Sequence, residues 1–431
     1  ERPITYSLRR KGIPTQLITD HPHLFEVGGE NYHTDFFAWD YVRGHESDPW
    51  KTRPDLSWQG APSLPAKAKY ANAANPEGFG YDFSRTYFRE EADYPGPKTM
   101  RAAADWLKTQ GSEHSSFLLF VDEFDPHEPF DTPEPWASQY GEWEGERLIW
   151  PPYAVGGVES GQITEKEGRH IRNNYGAKLS MIDHWLGKVL DALDEGNFWK
   201  DTMVILCTDH GHYLGERDLW GKPRVMQYEP LGHTPLLISF PSASPGEIEA
   251  LTTNVDLHAT LADFFDVSSE HVTHGQSLLP LITGEKTSVR EYALGGIYGN
   301  WVQINDGKYK YARGPVGDNF PLSMFSNRWS TMPVPSYPGL RLPVPDQRAR
   351  LDTMPGSSIP VIRQPFEPGD LLPFWTANMP VDEHYLFDLE EDPTEANNLV
   401  GTQREQVMLD ALRTALSEID APTEQLNRLG L

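Results

Sequence analysis

Short uninterrupted apolar runs punctuate a chain that is otherwise polar and rich in proline. They are Ser116–Val121 (SFLLFV), Thr202–Thr208 (TMVILCT) and Pro235–Phe240 (PLLISF). Runs of this length, bounded by turn residues, predict strands buried on both faces. Residues 4–11 predict a short helix (Ile4, Leu8) ended by Gly12, with a strand at Thr15–Ile18. His33–Val42 alternates and is aromatic-rich, which predicts another strand. Helical spacing covers Lys98–Thr109, Thr164 to about Asn197, and Asp256–Phe265; the longest opens on Thr164 with Glu167 three residues on, a capping box. Apolar strands alternating with helices imply an α/β fold, a mostly parallel sheet sandwiched by helices.

The texture changes near residue 288. Tyr292–Ile297, Trp301–Asn305 and Lys308–Ala312 are short strands, the last two joined through Asn305-Asp306-Gly307, a hairpin signal. Residues 314–382 are Pro-rich and read as loop, and Gln403–Leu416 as a closing helix. The expected division is an α/β domain over 1–287 and a small C-terminal antiparallel α+β subdomain over 288–431. Residues 48–95 and 125–162 read as irregular excursions.

Composition narrows the function. The 431 residues carry a formal net charge of −26. That argues against nucleic acid as a partner, because duplex binding relies on Lys and Arg neutralising phosphates. No run approaches the roughly 20 apolar residues of a membrane span. An anionic small substrate stays open if a metal, Lys and His build a locally positive pocket. Cys207 is the single cysteine, so no intrachain disulfide forms. Its place inside an apolar run marks it as a small packing residue. The chain opens on ERPITYSLRR, with neither an initiator Met nor an apolar signal core, and reads as the middle of a domain. Any targeting signal would precede residue 1; the compartment is left open, with a lean to the bacterial cytoplasm. Oligomerisation is also left open.

In open parallel sheets ligands gather beyond the carboxyl ends of strands, and the predicted strand ends carry the polar clusters. Thr208-Asp209-His210-Gly211-His212 follows TMVILCT. A carboxylate beside an imidazole suits a divalent cation, with Gly211 giving the backbone freedom to turn; an Asx turn is the alternative. Asp122-Glu123-Phe124-Asp125-Pro126-His127-Glu128-Pro129 follows SFLLFV and braces His127 between prolines; a stiff surface loop with solvated acids is the alternative. Thr19-Asp20-His21-Pro22-His23 offers two imidazoles as ligands, anion contacts or acid–base groups. Lys222, between Gly221 and Pro223, is a fixed cation or a solvated lysine, and His233 follows. Together the set fits cleavage of an anionic ester: cations on the oxyanion, a His or Lys protonating the leaving group.

At this point the sequence resembles the sulfatases of the alkaline phosphatase superfamily. The resemblance rests on FDPHEPF (124–130) and VILCTDHGHYLGERDLWGKPRVMQYEPLGHTPLLISFP (204–241), supported by VDLHATLADFFDV, HGQSLLPLITGE, DGKYKYA and YLFDLEEDPTEANNLV in family order. It implies that Asp209 and His210 ligate one divalent ion, Ca²⁺ first, with Mg²⁺ or Mn²⁺ as alternatives. It places His127 on the sulfate or the leaving oxygen, Lys222 as the active-site lysine, and His23 in the histidine slot of a G-K-x-H element. The lysine of that element is replaced here by Asp20 or His21, so His21 or His233 is expected to compensate. Arg43, Glu46 and Arg313 are unranked candidates for substrate contact. The family's nucleophile is a formylglycine made in C/S-x-P-x-R, and no such pentapeptide occurs here. The expectation is that it lies upstream of residue 1, with the paired Asp ligands, and that these 431 residues alone are inactive. The implied substrate is a small anionic sulfate ester or sulfamate, with a sulfated sugar among the candidates. A phosphonate or phosphodiester hydrolase, and a pseudoenzyme without a nucleophile, are the competing readings.

Overall fold

The computed structural model describes residues 2–431 apart from 26–30, 47, 65–78, 242, 270, 327–328, 330–342, 355–356 and 374–382. Strand Thr15–Thr19 lies between Ala38–Tyr41 and Leu118–Asp122, and both pairings are parallel. Helix Ile4–Lys11 feeds this central strand through Gly12, whose φ of 78° closes the helix in the left-handed region that glycine accepts without a Cβ clash. Register places Ile18 beside Val121 on one face, and Leu17 beside Trp39 and Phe120 on the other. The Ile18 face packs under helices Pro95–Thr109 and Glu165–Glu195, through Met100, Ala103, Leu107, Met181 and Ile182. The long helix starts where expected: Thr164 accepts from the Glu167 backbone N–H, and Glu167 answers the Thr164 N–H.

The other apolar runs depart from the sequence reading. Val204–Cys207 pairs with Leu236–Ser239, and the pairing is antiparallel. Neither strand is buried on both faces: the register partners Leu206 and Leu237 are 47% and 58% exposed, and Phe120 is 48% exposed. An apolar run reports that a strand's side chains favour burial. It does not supply the element that covers them, and no described residue covers these. Cys207 is accordingly exposed rather than a packing residue. The predicted strand His33–Val42 shortens to Ala38–Tyr41 behind a 3-10 turn at Tyr32–Asp35.

The C-terminal part carries the expected hairpin, Val302–Asn305 against Tyr309–Arg313, in an antiparallel sheet flanked by Ala293–Gly296 and Tyr385–Asp388. Helix Gln403–Glu418 seals it with Met408 and Leu412 on Ile304, Tyr311 and Leu386. Within the stretch read as loop lies a further antiparallel sheet, Leu322–Ser326, Pro360–Phe366 and Arg350–Thr353. Its middle strand begins on Pro360 and carries Pro365, and those prolines mask the strand pattern. Lys310 joins this part to the α/β part, sitting 2.7 Å from Glu229 Oε1 with Glu395 at its other side.

Candidate active site

The lowest tier of the site is a buried salt-bridge centre. Beyond the Leu118–Asp122 strand the chain enters the Asp125-Pro126-His127 segment, and the Asp125 carboxylate turns inward. Its Oδ1 lies 2.8 Å from Lys178 Nζ on the long helix and 2.7 Å from His45 Nε2, with all three side chains almost fully enclosed. Helix Pro95–Thr109 aims its N-terminus here. A Cβ on Gly96 would lie 2.4 Å from Glu123 Oε1 and 2.6 Å from Asp125 Oδ2, so only glycine lets the helix come this close. The helix dipole and Lys178 both favour an ionised Asp125. Burial pushes its carboxyl up, but Lys178 and His45 outweigh that and hold it below the usual range. Asp20 takes the opposite course. Fully buried, it accepts the Phe124 backbone N–H at 2.8 Å, and desolvation, with Asp125 and Asp122 nearby, raises its carboxyl to about 7. Asp20 therefore does not stand in for a cationic lysine.

Phe124 is the hub of the second tier. His21 stacks on it at 4.2 Å and His127 at 4.1 Å, while His45 and His23 meet it edge-on at 5.0 and 5.8 Å. His21 Nδ1 lies 3.2 Å from Asp122 Oδ2. His23 Nε2 lies 2.9 Å from Glu46 Oε2.

His127 and Lys222 meet in the third tier. His127 Nδ1–H donates to the Glu128 carbonyl at 3.0 Å, which leaves the Nε2 lone pair to accept from Lys222 Nζ at 2.6 Å. Burial, with Lys222 nearby, lowers the His127 pKa, so the ring is neutral at pH 7. The enclosed Glu128 carboxylate lies 3.6 Å from both His127 Nδ1 and Lys222 Nζ and accepts the Tyr153 hydroxyl. Burial opposes its ionisation, yet these partners pull it far below the usual range. With His127 uncharged, Lys222 is the cation that matters. His212, absent from the predicted set, completes the wall against Phe130 and Tyr175; desolvation lowers it to about 3, and it feels Glu128, Lys222, His127 and His210. It thereby links the His127–Lys222 pair to the Asp209–His210 turn.

That turn is open. The Asp209 side chain is 82% exposed, and its Oδ1 accepts the backbone N–H of His210, the next residue; the Gly211 N–H that an Asx turn would use goes to the Leu231 carbonyl instead. His210 Nδ1 bonds the Gly211 carbonyl at 2.8 Å, which leaves Nε2 3.4 Å from Asp209 Oδ2. Gly211 matters for close approach rather than for a positive φ: a Cβ there would lie 2.0 Å from the Pro230 carbonyl oxygen. An oxygen and an imidazole nitrogen at this separation suit a divalent cation as two of its ligands. No group of three or more His, Cys, Asp or Glu side chains arranged to hold a metal occurs among the described residues.

The remaining candidates lie differently. The His233 side chain is 79% exposed and pairs with Glu229 at 3.0 Å. Arg43 is clamped on Asp48 and covers the Tyr41 ring. Arg313 serves the C-terminal part, donating to the Leu429 carbonyl. Tryptophans of the irregular segments serve packing: Trp150 is in a buried cluster that Trp50 flanks, and Trp143 stacks on His170.

A sulfatase family profile matches residues 9–267, more than half of the chain and the whole of the site just described. The chain belongs to the sulfatase family. Among curated relatives, the choline-sulfatase of Rhizobium meliloti is 38% identical over 155 residues, 35% of this chain and 30% of that protein. The chain spans between a quarter and about half the length of the curated sulfatase relatives it matches. Among solved structures, the phosphonate monoester hydrolase of Agrobacterium radiobacter covers 97% of this chain and 79% of its own, at 16% identity and a TM-score of 0.58. A protein solved with its substrate D-glucosamine-2-N,6-O-disulfate covers 97% and 82%, at 14% identity and a TM-score of 0.57. At these identities the structures establish the fold, α/β with antiparallel strands in the C-terminal part.

Proposed function

We propose that the protein hydrolyses a sulfate monoester or sulfamate of a small anionic substrate. The observation that carries this reading is the His127–Lys222 contact of 2.6 Å, backed by the enclosed Glu128. A sulfate group brings negative charge, and this cluster offers an ammonium held in place by a buried carboxylate. Lys222 binds a sulfate oxygen. His127, neutral and with Nδ1–H tied to a carbonyl, accepts from Lys222 through Nε2 and so holds the ammonium against the sulfate. His23 and His21 stand across Phe124 as further acid–base groups. Asp209 and His210 would hold a divalent cation, Ca²⁺ first, which when bound supplies further positive charge to the sulfate oxygens. The nucleophile, a formylglycine in the resemblance, is proposed to come from sequence outside these 431 residues.

The test is sulfate release from aryl, sugar and choline sulfate esters by the full-length protein, with and without EDTA and added Ca²⁺. Sulfate release that EDTA abolishes, and that falls at least about 100-fold in Lys222→Ala and His127→Ala, is expected. Turnover confined to phosphonate or phosphodiester substrates would replace this reading with the phosphoryl-transfer one. No turnover of either class would favour a pseudoenzyme.

A further inference from the structure

We infer that Glu46 is the positioning residue for His23: its enclosed carboxylate fixes the imidazole and keeps a proton on Nε2. The inference rests on the proposed hydrolysis for its purpose, but its structural content is separate. The two partners are disposed unequally. The His23 ring is 40% exposed, whereas the Glu46 side chain is 2% exposed, with Oε2 2.9 Å from His23 Nε2. The imidazole is thus presented outward by a carboxylate anchored inward. The imidazole meets Glu46 Oε2 as a close ion-pair contact, and this buried oxygen has no hydrogen-bond partner among the described residues.

The anchor is built at a cost. Glu46 has a φ of 42°, a left-handed conformation that strains a residue with a Cβ. Its neighbours impose that conformation. Arg43 grips Asp48 through Nε at 2.8 Å and Nη2 at 2.7 Å, while Asp48 Oδ2 accepts the Gly44 backbone N–H at 2.7 Å. His45 is tied 2.7 Å from Asp125, which Lys178 holds from behind. The buried Asp125–Lys178 centre therefore fixes the loop that delivers Glu46, and a strained loop pinned from both ends serves a placement rather than a surface turn.

The groups around the pair set its charge state. His21 meets the His23 ring edge-on at 5.5 Å, and Phe124 flanks it. Glu46 faces His23 and His127, with Glu128 opposing. Burial pushes the Glu46 carboxyl up, but His23 against it outweighs burial and leaves it lowered. An ionised carboxylate only accepts, so the proton between the two sits on Nε2, and proton transfer to substrate falls to Nδ1. With a proton on each nitrogen, His23 gives the Nδ1 proton to the leaving oxygen as its bond to sulfur breaks, and the neutral ring keeps its Nε2–H on Glu46.

The test is the titration of His23 by NMR in the full-length protein, its ring resonance assigned by loss in His23→Gln. In Glu46→Gln the His23 midpoint is expected to fall by about one pH unit or more. On a sulfate ester, kcat is expected to fall about 10–100-fold with KM little changed, and the matching limb of the pH profile to move to lower pH. Should Glu46→Gln fail to fold, Glu46→Asp is read the same way, with a smaller fall of the midpoint. An unchanged His23 midpoint in whichever variant folds overturns the inference. If the wild type releases no sulfate, the proposed function fails while the titration still decides the role of Glu46.

Discussion

Replacing Asp20 with Asn tests the electrostatics beneath the site directly. Asp20 is fully buried, and burial, together with Asp125 and Asp122, raises its carboxyl from 3.8 to about 7 against the opposing pull of His45 and the Phe124 N–H. The folded state therefore holds this proton more tightly than the unfolded chain. The stability it contributes is fully present below pH ~4 and lost as pH rises through ~7. At about 1.4 kcal/mol per tenfold, the whole interval is worth about 4 kcal/mol, of which about 3 falls between pH 5 and pH 8. Asn keeps the acceptor for the Phe124 N–H and cannot ionise. Its Nδ2 also replaces Oδ2, a buried oxygen without a hydrogen-bond partner. Urea unfolding at both pH values, at fixed salt and with matching m-values, should show wild type losing about 2–3 kcal/mol that Asp20→Asn retains. An equal difference between the two proteins at pH 5 and pH 8 refutes the reasoning.

Two further substitutions probe the scaffold. Gly211→Ala forces a Cβ to within 2.0 Å of the Pro230 carbonyl oxygen; thermal unfolding should register about 1–3 kcal/mol of destabilisation, the cost of overpacking, and titration should show weaker Ca²⁺ binding. Lys178→Met leaves Asp125 buried with His45 as its remaining side-chain partner; denaturant unfolding should show a loss of about 3–5 kcal/mol, the usual result of stripping one partner from an enclosed pair.

The positions of the candidate groups were legible because they follow the apolar runs. His21 and His23, His127, and Asp209 with His210 each lie just past a strand, and strand ends can be read from the pattern alone. The pairing of those groups was not legible. Glu46 sits in an irregular segment, and its approach to His23 depends on how Asp48 and His45 pin the loop, which no local spacing encodes. Lys178 lies mid-helix, where position alone does not separate an enclosed lysine from a solvated one. Phe124 stands between Glu123 and Asp125 with no local pattern to mark it, yet it is the ring on which four imidazoles are ordered. The fold divides the same way. Apolar runs located the strands, but Leu206 and Leu237 remain exposed because burial depends on a neighbour and not on the strand itself. The common cause is that sequence pattern reports what each segment favours alone. The site depends on pairings across segments: Asp125 with Lys178, Glu46 with His23, and Glu128 with Lys222. In each, a carboxylate taken out of water is tolerable only because a partner from a distant segment meets it. Substituting either member should therefore disturb the imidazole tier more than any exposed residue of the same loop does.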